Sequence, residues 1–316
     1  MILTITPNPA LDVTYHLQRV HWGDVNRVEA VSETAGGKGV NVARVLHQLG
    51  EPVTCTGFLG GETGERLRGL LTGVEQRWVA VSAPTRRTTA VVDSTGTTLF
   101  NEPGAPVPDE AWTRLRTLAT DLVGDGDVVV ASGSMPPGTS EAAVTSLVTT
   151  VVKRGAHVVV DTSGPLLRAA ARAGATLVKP NHHELRAATG RDDVLAGARV
   201  LLGDGAGCVV VSRAEAGLLA VVRQDTDADD PLRTWHARPG SVVRGNPTGA
   251  GDAAVAALAR ALHRSDRPLP DIVAAQLADA VALSAAAVAK PVAGEVDLAF
   301  YRRARSAVVM SGPDDR

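Results

Sequence analysis

Short runs of almost continuous apolar residues, many of them β-branched, recur along the chain. The first is MILTIT at the start; DVVVASG (127–133), HVVVDTSG (157–164), TLVKPN (176–181) and GCVVVSR (207–213) follow. Strands covered on both faces by helices carry such runs, whereas a half-solvated strand alternates. Each run ends in glycine, proline or a small polar residue, and helical periods lie between them. DEAWTRLRTLATDLV (109–123) and SEAAVTSLVTTVVKRG (140–155) are two of these, the second with Ser140 as its cap and Gly155 as its stop. The pattern predicts an α/β fold: a mostly parallel central sheet built from βα units. DIVAAQLADAVALSAAAVA (271–289) is interrupted by Asp271, Gln276 and Asp279, and reads as a buried amphipathic helix.

Two regions break this rhythm. Residues 11–33 and 84–103 alternate apolar with polar positions, and the second contains a DSTG hairpin turn. Half-buried antiparallel pairs of this kind do not belong inside a doubly wound sheet. They are expected to meet as a small separate β-sheet, a discontinuous lid over a core formed by 1–10, 34–83 and 104–316. RQDTDADDPLR (223–233) reads as an acidic loop and SGPDDR as a frayed tail.

Composition narrows the function classes. At 316 residues the chain has room for one large α/β domain with a small appendage. A formal net charge of -2 gives no basic face for nucleic acid. No run of 18 or more apolar residues suggests a membrane span. The opening MILTITPNPALD has no basic segment followed by an apolar one, so no signal peptide is read there. Cys55 and Cys208 both fall in apolar strand-like runs, which argues against a disulfide framework and for a reducing, cytoplasmic setting.

In an open parallel sheet ligands gather at the C-terminal ends of strands. SGSMPPG (132–138), DTSG (161–164), KPNHHE (179–184) and SRAEAG (212–217) all fall at such ends. AGGKGVNVARVLHQLG (35–50) adds a glycine loop and one lysine at a helix N-terminus, a setting that suits an anion. It is no Walker A loop, because Lys38 is followed by Gly39 rather than Ser or Thr. No GxGxxG follows the first strand either. NPTGAGDAAVAALARAL (246–262) repeats the arrangement, with a helix expected to begin near Gly251 or Asp252. The free N–H groups of residues 249–252 then form a nest for a developing phosphoryl anion. Asp252 is either a helix cap or a base beside that nest. Zinc at the adjacent His182 and His183, and calcium at Asp225, Asp227 and Asp229, both fail on spacing.

Taken in order, TPNPALD, AGGKGVNVAR, GFLGGETG, SGSMPPG, KPNHHEL and NPTGAGD resemble the phosphofructokinase B family of ribokinase-like carbohydrate kinases, in particular the branch acting on ketohexose phosphates. The resemblance spans nearly the whole chain. It implies an αβα sandwich with a β-sheet lid, ATP and Mg²⁺ as cofactors, and a homodimer through the lid. It implies Asp252 as the catalytic base and Gly249, Ala250 and Gly251 as its anion hole. Asp12, Gly37 and Asn41 match sugar-hydroxyl positions, while Lys38, Arg86 and Ser134 match positions near the substrate's own phosphate. Asn181 and Glu184 match the element that organises Mg²⁺ and the ATP phosphates, with Glu184 the indirect metal residue. Lys179, Ser212, Gly217 and Thr248 fall with the nucleotide site.

The chain departs from the family pattern at two places. The nucleotide turn has Arg213 and Ala214 where leucine and glycine are common. NPTGAGDA carries the Asn-Pro of tagatose-6-phosphate kinases where fructose-1-phosphate kinases often have Asn-Ser. Tagatose 6-phosphate and fructose 1-phosphate therefore both stay open as substrates. The rival readings are a kinase of fructose 6-phosphate, of a free sugar or of a nucleoside, and a sugar-phosphate sensor without catalysis.

Overall fold

The computed structural model describes residues 1–223 and 232–312. The first half of the chain forms β1 (Ile2–Thr6), β2 (Ala10–His16), β3 (Ala30–Gly36), α1 (Lys38–Gln48), β4 (Val53–Leu59) and α2 (Gly61–Leu70). Then come the short β5 (Glu75–Gln76) and β6 (Val79–Ala80), followed by β7 (Arg86–Asp93), β8 (Gly96–Asn101) and α3 (Asp109–Leu122). The βα units continue through β9 (Val128–Ser132), α4 (Glu141–Val152), β10 (His157–Asp161), α5 (Pro165–Arg172), β11 (Leu177–Val178), α6 (His182–Thr189) and α7 (Val194–Asp204). The last elements are β12 (Cys208–Ser212), β13 (Leu218–Arg223), β14 (Leu232–Arg238), α8 (Ala250–His263), α9 (Leu269–Val288), α10 (Leu298–Arg305) and β15 (Val309–Ser311).

The central sheet runs β15-β14-β13-β12-β11-β10-β9-β1-β4-β5. It is parallel from β12 to β5, and antiparallel through β13, β14 and β15. Strand alternation sends Val128 and Val130 of β9 into one apolar layer and Val129 and Ala131 into the other. The first layer lies under α1, α2, α8 and α9, and the second under α3, α4, α5 and α7. The result is an αβα sandwich. Ser140 caps α4 by accepting from the Ala143 N–H, so that helix starts where its sequence predicts.

The α8–α9 pair sits within the first layer. Ala253, Ala254, Ala256, Ala257, Ala259 and Ala261 of α8 are buried, as are Ala280, Ala282, Ala285, Ala286 and Ala287 of α9. Methyl-sized side chains let two helix axes approach closely. By length and hydropathy α9 is apolar enough to cross a membrane, but most of it is buried inside this layer.

A second sheet, ordered β3-β2-β7-β8, combines the two alternating regions. β2–β3 and β7–β8 are antiparallel pairs, joined by a parallel β2–β7 pairing. Its strands take in Ala10 and residues 34–36, which the sequence reading gave to the core.

The antiparallel edge of the central sheet corrects the reading of 223–233 as one loop. Arg223 ends β13, and Leu232 and Arg233 begin β14, whose Trp235 and Ala237 are buried. Residues 224–231, including Asp225, Asp227 and Asp229, lie outside the described residues. The expected frayed tail is likewise corrected at Ser311, which pairs with His236 in β15; residues 313–316 are not described. Cys55 and Cys208 are buried, free thiols.

Candidate active site

β1, β9, β10, β11 and β12 all end on one edge of the sheet, and α1 and α8 begin there. Close packing fixes both helix starts. A Cβ on Gly37 would lie 2.7 Å from the Thr6 methyl, and one on Gly39 would lie 2.4 Å from Thr6 Oγ1. Only glycine lets α1 sit this close to β1, which sends Lys38 and Asn41 over the strand ends. Gly249 precedes α8 with φ 87°, the left-handed conformation that glycine adopts freely. The helix begins at Ala250, and Asp252 falls in its first turn.

Asp252 does not cap α8. Its Oδ2 accepts a 2.8 Å hydrogen bond from Asn41 Nδ2, and the side chain is buried. Burial pushes its carboxyl up to about 6, and the Asp161 charge adds to the effect; the Asn41 hydrogen bond, Lys38 and Lys179 pull the other way. A carboxylate tuned upward in this way is suited to accept a proton near neutral pH.

Lys38, Lys179, Asp161 and Glu184 form one charged cluster beside it. Lys38 Nζ donates to Asp161 Oδ1 at 3.1 Å and lies 3.5 Å from Glu184 Oε1. Lys179 Nζ stands 3.5 Å from Asp161 Oδ2, an ion pair too long for a strong hydrogen bond. Burial opposes the Asp161 charge, yet Lys179 and Lys38 together hold its carboxyl below the usual range. A Cβ on Gly251 would lie 3.4 Å from Lys179 Nζ, so this ammonium reaches the first turn of α8 itself.

Asn181 and Glu184 form a capping box on α6. Asn181 Oδ1 accepts from the Glu184 N–H at 2.9 Å, and Glu184 Oε2 accepts from the Asn181 N–H at 2.8 Å. One Glu184 oxygen therefore holds the helix and the other faces Lys38. For a divalent cation the fit lies in oxygens. Asp161 Oδ2 is buried with no hydrogen-bond partner, and both carboxylates lie within 3.5 Å of Lys38. Mg²⁺ commonly takes one or two carboxylates and completes its shell with phosphate and water. The donor set fits.

The anion nest is narrower than its sequence suggests. The Ala250 N–H donates to Pro247 O at 3.2 Å, and the Thr248 N–H donates to Asn246 Oδ1 at 3.0 Å. Ala250 is thus corrected from nest donor to turn former, while Gly251 and Asp252 keep first-turn N–H groups, which have no partner within a helix.

A second set of polar residues faces the small sheet. Asp12 of β2 sits against Gly36, where a Cβ would come within 2.0 Å of its Oδ2. Burial pushes the Asp12 carboxyl up to about 6, with Arg86, Thr88 and Arg44 opposing. Arg86 Nε donates to Asn8 O at 3.2 Å and Nη1 to Glu102 O at 3.1 Å, while Asn8 Nδ2 donates to Ser134 Oγ at 3.3 Å. Arg86 and Asn8 line a shallow pocket with Gly104 and Pro136. Lys38 is aligned with Asp161 and Glu184 rather than with the Arg86 set. The turn after β12 closes by an Arg213 N–H bond to Gly217 O at 2.8 Å. Gly217 has φ 82°, and Ala214 adopts φ 50° where the family pattern has glycine. Ser212 pairs with Asn181 by a parallel bridge, which ties this turn to the capping box.

The pfkB family carbohydrate kinase profile matches residues 7–297, which takes in α1, β9 to β12 and α8 of the site. The chain belongs to the pfkB family of carbohydrate kinases. This kinase is 34% identical over 265 residues to the 1-phosphofructokinase of Escherichia coli strain K12, covering 81% of this chain and 82% of that protein. Its fold is similar to that of phosphofructokinase-2 from Escherichia coli in complex with potassium: TM-score 0.86, 29% identity, and coverage of 96% of this chain and 98% of that one. A possible 1-phosphofructokinase from Thermotoga maritima is similar with TM-score 0.79 and 25% identity, each chain covered to 99%. The kinase is thus an ATP-dependent phosphotransferase built on the ribokinase-like fold.

Three residues of the site had no role in the sequence reading, the first being Asn8, which links Arg86 to Ser134. Asp161 lies in the DTSG tag, where a strand-end aspartate looks like any turn former. Its function as the shared partner of two lysines arises only when residues 38, 161 and 179 meet. Arg44 lies inside an ordinary amphipathic helix, and nothing in its spacing distinguishes it from a solvated arginine.

Proposed function

We propose that this kinase transfers the γ-phosphoryl group of ATP to a hydroxyl of a ketohexose monophosphate and yields the bisphosphate. The observation that carries the reading is Asp252: buried in the first turn of α8, held by Asn41, and poised beside Lys38, Lys179 and Asp161. In this reading Asp252 takes the proton of the attacking hydroxyl. Lys38, Lys179 and the Gly251 and Asp252 N–H groups receive the charge that moves with the phosphoryl group. Phosphoryl transfer needs mainly such positioning and charge stabilisation.

Asp12, Gly37 and Asn41 orient the sugar hydroxyls. Arg86 and Ser134, linked through Asn8, take the phosphate already on the sugar, which a free sugar would leave unmatched. Ser212, Gly217 and Thr248 border the nucleotide. Mg²⁺, when bound, would neutralise ATP phosphate oxygens; Asp161, through Oδ2, and Glu184, through the oxygen that faces Lys38, are the residues that would hold it.

The relative named 1-phosphofructokinase favours fructose 1-phosphate as acceptor, and the Asn-Pro before the glycine turn favours tagatose 6-phosphate. A coupled ADP-release assay across fructose 1-phosphate, tagatose 6-phosphate, fructose 6-phosphate and the free sugars tests the proposal. Preference for a free sugar, or no turnover with any of them, overturns it. We also propose that residues 10–36 and 84–103 act as a lid through which two copies of the chain pair. The exposed Val31, Leu99 and Phe100 of the small sheet support that pairing.

A further inference from the structure

Arg44 is bound to none of the groups assigned above, yet it touches what holds them. It lies one turn after Asn41 on α1, so the two side chains share a helix face. Arg44 Nη1 donates to Ala293 O at 2.9 Å, and Nη2 lies 3.3 Å from Glu295 Oε1. Gln48, one turn further on, donates to Gly294 O at 2.7 Å and accepts from the Val296 N–H at 3.2 Å. Residues 293–296 are thereby stapled to α1.

That staple presses on both halves of the phosphoryl-transfer machinery. A Cβ on Gly249 would lie 3.1 Å from Ala293, so the segment backs directly onto the turn that starts α8. A Cβ on Gly294 would lie 3.0 Å from Asn41 Oδ1 and 3.2 Å from Arg44 Nη1. Asn41 in turn donates to Asp252. One guanidinium thus bears on the base and the glycine turn together. A guanidinium can divide its fixed fork of donors between a carbonyl and a carboxylate, whereas a lysine ammonium is a single point.

We propose that Arg44 is a positioning residue that sets the Gly249 turn and the Asn41–Asp252 pair through residues 293–296. The proposal rests on the phosphosugar kinase reading for its kinetic consequence, but not for its mechanical one.

Arg44→Gln, Arg44→Lys and Glu295→Gln are compared with the parent by steady-state kinetics and by amide hydrogen exchange. Arg44→Gln is expected to lower kcat by about 10- to 100-fold, the cost of a misplaced reacting group, and to raise the KM for the sugar phosphate while leaving the KM for ATP unchanged. Arg44→Lys keeps the charge but not the fork that spans Ala293 O and Glu295, so it should not restore kcat. Glu295→Gln leaves Arg44 in place and should give the smaller kcat loss alone. Exchange should quicken at 249–253 and 293–296 in both Arg44 variants. Parental kcat in Arg44→Gln, or full kcat in Arg44→Lys, overturns the proposal. If the parent itself turns over no phosphosugar, the functional reading fails, and unchanged exchange at both segments then overturns the Arg44 assignment separately. If Arg44→Gln fails to fold, Glu295→Gln decides: parental kcat with parental exchange at 293–296 overturns the proposal.

Discussion

Replacing Asp252 by asparagine should separate chemistry from stability in opposite directions. The amide has nearly the same shape and can still accept from Asn41 Nδ2, so binding of both substrates should persist. Loss of the base should lower kcat by about 10²- to 10⁴-fold, a barrier increase of roughly 3–5 kcal/mol. Stability should move the other way. The folded carboxyl sits at about 6 against an ordinary 3.8, chiefly through burial. A group raised on folding adds stability below its unfolded value, and that contribution is lost as pH climbs through the folded one. Above pH 6 the parent therefore carries a buried charge that costs ~3 kcal/mol at 1.36 kcal/mol per pH unit. That figure already includes the attraction of Lys38 and Lys179; part of it is offset in the variant because the new amide buries an NH₂ group that needs acceptors of its own. The net gain at pH 8 should be about 1–3 kcal/mol, and it should shrink toward pH 4. The assays are ADP release at saturating substrates, calorimetric binding of the sugar phosphate, and thermal unfolding at pH 4, 6 and 8. The parent's kcat/KM should rise with pH up to about 6 and the residual activity of the variant should lack that limb. An active variant refutes the base assignment. A variant less stable than the parent at pH 8 refutes the burial argument, whatever its activity.

Three further outcomes are expected. Arg86→Ala should raise the KM for the sugar phosphate by about 10- to 100-fold, the worth of charge-assisted hydrogen bonds, and leave the KM for ATP alone; a change confined to ATP would move Arg86 to the nucleotide side. Ala214→Gly should relieve the left-handed strain at φ 50° and stabilise by about 0.5–1 kcal/mol after the entropy of the added glycine is subtracted, which a small rise in melting temperature would register and a fall would contradict. Phe100→Asp together with Leu99→Asp should convert dimers to monomers in sedimentation, and an unaltered oligomer would exclude the small sheet as the interface.

Most of the central sheet could be read from the sequence for a physical reason. Val128–Ser132, His157–Asp161 and Cys208–Ser212 are covered on both faces, and double burial leaves an unbroken apolar run. The edge strands β13, β14 and β15 are covered less evenly: Val222 and Trp235 are buried, while Arg223 and Val309 are exposed. Their mixed pattern hid them beside an acidic stretch. The small sheet could be anticipated from alternation, but not its parallel β2–β7 pairing, which no local turn specifies. Within the site, glycine tags at strand and helix ends marked places where backbone must pass close to something. They did not reveal that the Ala250 N–H is taken by Pro247, nor that Lys38 turns to Asp161 and Glu184. The Lys38 pairings join residues more than a hundred positions apart, and only folding decides them.

The alanine-rich contact of α8 with α9 also sets how this kinase can change. Asp252 is anchored at one end of a helix whose neighbours are methyl groups packed to contact, so a larger side chain there would tilt the base itself. Variation in substrate choice has to arise elsewhere, on the exposed β8, the half-buried β7 and the Asn8–Ser134 rim, whose side chains are held by hydrogen bonds rather than by close packing. A saturation library of this enzyme should return dead clones along the α8–α9 contact and altered specificities from the rim. Directed evolution toward a new phosphosugar can leave the two helices untouched.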